Sequence, residues 1–200
     1  MEILSKIFGG LNKVKILRLF VSNAEQGFTA SEVAERLKIS QHSARKEIVN
    51  LSNGDFVKLR TAYRPNSHGT AKIRVKTWQL NSVFPFVNDL RKILDYDIVD
   101  QKDTIARRFK GCGRIKLIIL SGLFINNNED GRVDLTVVGD DLNKRTVEKI
   151  IHKMEAELGK ELKYAVLETE DFNFRLFSGD KFIRDIFDYP YQYALNKLGI

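Results

Sequence analysis

One local signature constrains the fold more than any other. In GFTASEVAERLKIS, Thr29 is followed three residues later by Glu32, the reciprocal arrangement in which each side chain satisfies the other residue's orphan backbone N–H at a helix start. Val33, Ala34 and Leu37 then give a short helix, ending at Lys38, one inward face. Only the link Lys38-Ile39-Ser40 separates it from a second start, where Ser40 caps QHSARKEIVNLSNGD; Ala44, Ile48 and Leu51 form an apolar stripe and Asn53-Gly54 ends the helix. Upstream, LNKVKILRLFVSN sets Leu11, Val14, Ile16, Leu17 and Phe20 at helical spacing, so a third helix can cover the pair.

Two alternating stretches follow, FVKLRTAY and KIRVKTWQL, joined by the turn-rich RPNSHGTA. Three helices and a β-hairpin, in that order and with those lengths, resemble the winged helix-turn-helix of transcription regulators over roughly residues 8–82. The resemblance implies a helix laid in the major groove of double-stranded DNA and a hairpin that tracks the backbone. On the helix after Ser40, the face opposite the stripe carries Gln41, His42, Arg45, Lys46 and Asn50, and the hairpin adds Arg60, Arg64, His68, Lys72, Arg74 and Lys76. Each such charge alone is ordinary on a protein surface. The grouping carries more weight because residues 1–95 hold 16 Lys and Arg against 8 Asp and Glu, whereas residues 96–200 hold 17 against 18. Trp78 sits where the second strand returns to the body and is read as core.

FPFVNDLRKILDYDIVDQKDTIARRFKGCG opens a helix after Pro85, with Phe86, Leu90 and Ile93 or Leu94 on one face, and then a second helical stretch built on Ile98, Ile105 and Phe109. Covering its own domain is the plain role for each stripe; a dimer contact is the alternative, and a homodimer would read two half-sites. Cys112 is alone in the sequence, which removes an internal disulfide and a cysteine-based zinc site. Without a membrane-length apolar run or a secretory leader, the expectation is a soluble, cytoplasmic chain with no membrane partner.

The rest alternates strands and helices: RIKLIILSG, the loop LFINNNEDG, VDLTVVG, the helix NKRTVEKIIHKMEAELG, the strand ELKYAVLE, helical pieces at EDFNFRLFSG and DKFIRDIFD, and an aromatic stretch FDYPYQY that reads as a packed strand or an interface, at an edge because of Pro190. Over roughly residues 103–198 this order resembles the minimal nucleotidyltransferase domains of the DNA polymerase beta superfamily. That resemblance implies a Gly-Ser turn after the first strand, two acids one residue apart on the second, and a third acid on a later strand. Here the turn reads Ser121-Gly122, the acid pair reads Arg132 and Asp134, and Glu168 is the best placed third acid. Two metals about 3.5–4 Å apart need hard oxygen ligands from both positions. An arginine at the first repels a cation and can pair with Asp134 instead.

The sequence therefore leads to an α+β chain of two domains: a winged helix over 1–82, a helical linker over 83–102, and a nucleotidyltransferase-like α/β domain over 103–200. The expected function is a DNA-binding transcriptional regulator. Its second domain would be catalytically degenerate, with no catalytic residue, metal or cofactor, and would serve dimerisation or ligand sensing. Ser121, Gly122, Arg132, Asp134 and Glu168 would form a vestigial nucleotide site. The rivals are an atypical nucleotidyltransferase acting on RNA or protein, and an antitoxin-like protein that binds a protein partner.

Overall fold

A computed structural model describes residues 2–65, 71–99, 102–125 and 132–200. His68, Glu129 and Asp130 lie outside the described residues. The fold is α+β with two sheets, and the chain divides into two compact units, Met1–Leu94 with Glu155–Lys160, and Asp95–Met154 with Glu161–Ile200. No helix among the described residues is long and apolar enough to cross a membrane.

In the first unit α1 (Glu2–Ile7), α2 (Leu11–Ser22), α3 (Ala30–Leu37) and α4 (Gln41–Asn53) precede the hairpin β1 (Val57–Pro65) and β2 (Lys72–Leu80). The reciprocal cap at α3 forms as expected: Glu32 N–H donates to Thr29 Oγ1 at 3.1 Å and Thr29 N–H to Glu32 Oε2 at 2.7 Å. Lys38 stops α3 in the left-handed conformation, φ 52°, and Ser40 accepts from Ser43 N–H at 3.2 Å to start α4. Each cap satisfies an orphan N–H at its helix start, and only Lys38-Ile39-Ser40 separates α3 from α4. Phe28, between α2 and α3, exchanges two 2.8 Å backbone hydrogen bonds with Trp78 and so pairs with β2.

Val14, Phe20, Val33, Leu37, Ala44, Ile48 and Val57 are fully buried in one core that Leu80, Val87 and Leu94 also join, with Trp78 packed against it. Helix α5 (Val87–Val99) thus contributes Val87 and Leu94, while Phe86 and Ile93 are exposed. Phe86 was expected inward. It precedes the first turn, and its ring instead meets Phe84 edge-on at 5.8 Å.

The second unit takes the end of α5, continues with α6 (Lys102–Arg108) and centres on a four-stranded sheet in the order β5-β4-β3-β6. Strands β3 (Arg114–Leu120) and β4 (Leu135–Asp140) pair antiparallel, β6 (Gln192–Asn196) pairs antiparallel on the far side of β3, and β5 (Tyr164–Glu168) runs parallel to β4. Parallel pairing needs a crossover, which α7 (Lys144–Leu158) provides. Leu117, Ile119 and Val138 on one sheet face cluster with Phe172 of α8 (Thr169–Phe177) and with Ile183 and Ile186 of α9 (Lys181–Phe187). Ile118, Leu120, Leu135 and Val137 on the other face are buried as well. Burial on both faces is why RIKLIIL is continuously apolar instead of alternating.

Candidate functional site

Each unit has a region, among the described residues, that gathers polar side chains singled out from the sequence. In the first, α4 turns Ala44, Ile48 and Leu51 inward, which leaves Gln41, His42, Arg45, Lys46 and Asn50 exposed. Gln41 Nε2 donates to Ser31 Oγ of α3 at 3.1 Å, so the row starts from a side chain already oriented.

The hairpin residues divide by register. Opposite positions of an antiparallel pair share a face, and the pairs Thr61↔Lys76, Tyr63↔Arg74 and Pro65↔Lys72 put all three cations on the face that bears Tyr63. Lys72, Arg74 and Lys76 are exposed there, with Tyr63 67% exposed among them. Arg60 and Arg64 lie on the other face, opposite Thr77 and Ile73. Arg60 is exposed, but Arg64 is tied back: its guanidinium donates to the Gly27 carbonyl at 2.9 Å and stands 3.7 Å from Glu32. The sequence placed Arg64 with the backbone-tracking cations. The structure makes it a brace between the hairpin and the start of α3.

In the second unit, Ser121 and Gly122 follow β3 and lead into a 3-10 turn, Gly122–Ile125. Asp134 precedes β4, and its two carboxylate oxygens accept from Leu123 N–H at 2.8 Å and Lys163 N–H at 3.0 Å. Ser121 Oγ donates to the Val133 carbonyl. Gly122 has φ +51°, and a Cβ there would collide with Asp134 Oδ1. The turn and the acid are thus built around each other.

Arg132 places its guanidinium over the Tyr189 ring, Cζ 3.2 Å from the centroid. With Ser121, Gly122, Lys181 and Asp185 they line a cavity of about 370 Å³, to which Phe182 and Ile186 add apolar surface. Tyr189, Lys181 and Asp185 were not singled out from the sequence. Lys181 and Asp185 are one helical turn apart on α9, and that i, i+4 charge pair was the available sign.

Glu168 does not join this group. β4 and β5 run parallel from Leu135↔Tyr164 to Gly139↔Glu168, so Glu168 stands at the opposite end of the sheet from Asp134, roughly 15 Å away at strand rise. The residue beside Asp134 on β5's approach is Lys163, not an acid. Among the described residues no three His, Cys, Asp or Glu side chains come together as a metal-holding group. The divalent metal pair that the nucleotidyltransferase resemblance implies does not fit: one position is Arg132, both oxygens of Asp134 are engaged by backbone N–H groups, and the third acid is distant.

No protein-family model, curated protein or solved structure matches the chain. What the two regions can do follows from their residues alone: a donor-rich helix face beside a cationic hairpin face, and a half-apolar pocket with an oriented arginine.

Proposed function

We propose that the chain is a transcriptional regulator that binds double-stranded DNA, its first unit a winged helix-turn-helix and its second a catalytically degenerate nucleotidyltransferase-like domain holding a small ligand. The observation that carries this reading is the outward row Gln41, His42, Arg45 and Lys46 on a helix capped at its start and separated from α3 by a three-residue link. Side chains near the N-terminus of such a helix are the ones that meet base edges, and amide and guanidinium groups pair in bidentate fashion with purines. The hairpin supports it with Lys72, Arg74 and Lys76 on one face, suited to phosphates. The single antiparallel bridge from Phe28 to Trp78 of β2 ties the base of the hairpin to the segment before α3.

For the second unit, the cavity under Arg132 and Tyr189 suits a small molecule with an apolar body and an anionic group, which arginine meets well.

The test is to mix the purified protein with fragmented genomic DNA near physiological salt, recover bound fragments and sequence them. Enrichment of a shared motif supports the regulator, and a two-fold motif supports its dimeric form. Uniform recovery overturns sequence-specific regulation.

A further inference from the structure

Residues 96–200 are close to neutral, with 17 Lys and Arg against 18 Asp and Glu. Within that stretch a cleft of about 620 Å³ nevertheless gathers Arg107, Lys110, Arg114, Lys116 and Lys197, and no acidic side chain lines it among the described residues. The concentration is the work of the fold: Arg107 comes from α6, Lys110 from the turn that follows, Arg114 and Lys116 from the start of β3, and Lys197 from just past β6. Lys197 N–H donates to the Lys116 carbonyl at 2.8 Å, which fixes two of the five side by side.

Arg114 pairs with Asp141 at 2.7 Å and Lys116 with Asp140 at 2.8 Å, so those two are largely neutralised. Arg107, Lys110 and Lys197 are exposed and make no ion pair among the described residues. Three uncompensated cations around one open trough attract a ligand with several adjacent negative charges. The remaining wall is Ala106, Phe109, Ile115 and Leu195 with two glycines. It offers no hydroxyl, amide or carboxylate side chain with which to choose a base or a ribose. Exposed cations set in an otherwise apolar wall suit a row of phosphates, the sequence-independent part of nucleic-acid binding.

We infer that this cleft holds the phosphate backbone of duplex DNA, as a second contact zone independent of base sequence. It deepens the DNA-binding reading and rests on it for the identity of the polyanion. The second unit then adds affinity and salt sensitivity, while base selection stays with α4.

The experiment compares the full-length wild type, the Arg107→Gln/Lys110→Gln/Lys197→Gln variant and an Arg45→Gln/Lys46→Gln variant on a mixed-sequence duplex over a salt series. Thermal unfolding checks that both variants are folded. Loss of three phosphate contacts lowers the slope of log affinity against log salt by about 2–3 and weakens binding about tenfold or more at physiological salt. That result in the cleft variant supports the inference, even if the α4 variant binds like wild type and the α4 reading fails. An unchanged slope in the cleft variant, with a lowered one in the α4 variant, overturns the cleft and leaves α4 standing. Titration with inorganic tripolyphosphate is the second arm. If it binds wild type and not the cleft variant while the DNA slopes agree, the cleft takes a small polyphosphate and the inference is wrong.

Discussion

The carboxylate of Asp134 accepts the backbone N–H of Leu123 at 2.8 Å, joining the start of β4 to the turn that follows β3. Its second oxygen accepts from Lys163, so one side chain ties three segments of the second unit. In Asp134→Asn one oxygen becomes an amide that faces a donor, and the charge that strengthens both bonds is lost. Urea unfolding should show a loss of about 1–3 kcal/mol. A variant as stable as wild type would mean that the acid is not a structural tie.

Gly122→Ala tests the same joint from its other side. Alanine is strained at φ +51°, and its methyl would meet Asp134 Oδ1. A destabilisation of at least about 1 kcal/mol is expected from the backbone alone. Asp134→Ala/Gly122→Ala should be less than additive, because the first change removes the atom that the second strikes. Strict additivity measured by denaturant midpoints would speak against the contact.

Register sorts the hairpin cations into two kinds. Lys72→Gln/Arg74→Gln/Lys76→Gln should lower the salt slope of DNA binding by up to about 3 at unchanged stability. Arg64→Gln should do the reverse, costing about 0.5–1.5 kcal/mol through the lost hydrogen bond to Gly27 while the slope holds. If Arg64→Gln changes the slope as a phosphate contact would, the brace is the wrong description.

The Lys116 ammonium stands 2.8 Å from Asp140 and holds its carboxyl below the usual aspartate range. A depressed native pKa contributes stability that is present above the unfolded value and lost as pH falls through the native one. The loss therefore lies below about pH 4. Wild type and Asp140→Asn should differ modestly at pH 7, and the difference should shrink as the pH drops through that window. A difference that stays constant from pH 7 into strong acid would contradict this.

Local chemistry was legible in the sequence and long-range geometry was not. Thr29, Glu32 and Ser40 mark helix starts because a cap is settled within three residues, and both strands of the hairpin follow from alternation. Arg60 and Lys72 looked equivalent because their faces depend on a register fixed by the connection between the strands. Glu168 looked like a partner for Asp134 because nothing local says that β5 runs parallel to β4. Tyr189, 57 residues from Arg132 in the sequence, reaches it only through the tertiary fold. Of the aromatic run FDYPYQY, read as a strand or interface at an edge, only Gln192 and Tyr193 enter β6, the last strand of its sheet; Phe187 ends α9 and Pro190 lies in the link between them.

The central claim is that the outward face of α4 reads DNA. Its most direct measurement is the affinity of wild type and of Arg45→Glu/Lys46→Glu for duplex DNA across a salt series, with thermal unfolding as the check that the double variant is folded. The expected result is wild-type binding that weakens steeply with salt, and a double variant that loses at least about tenfold with a slope lower by about 2. Binding indifferent to salt, or a double variant that binds as wild type does, would contradict it.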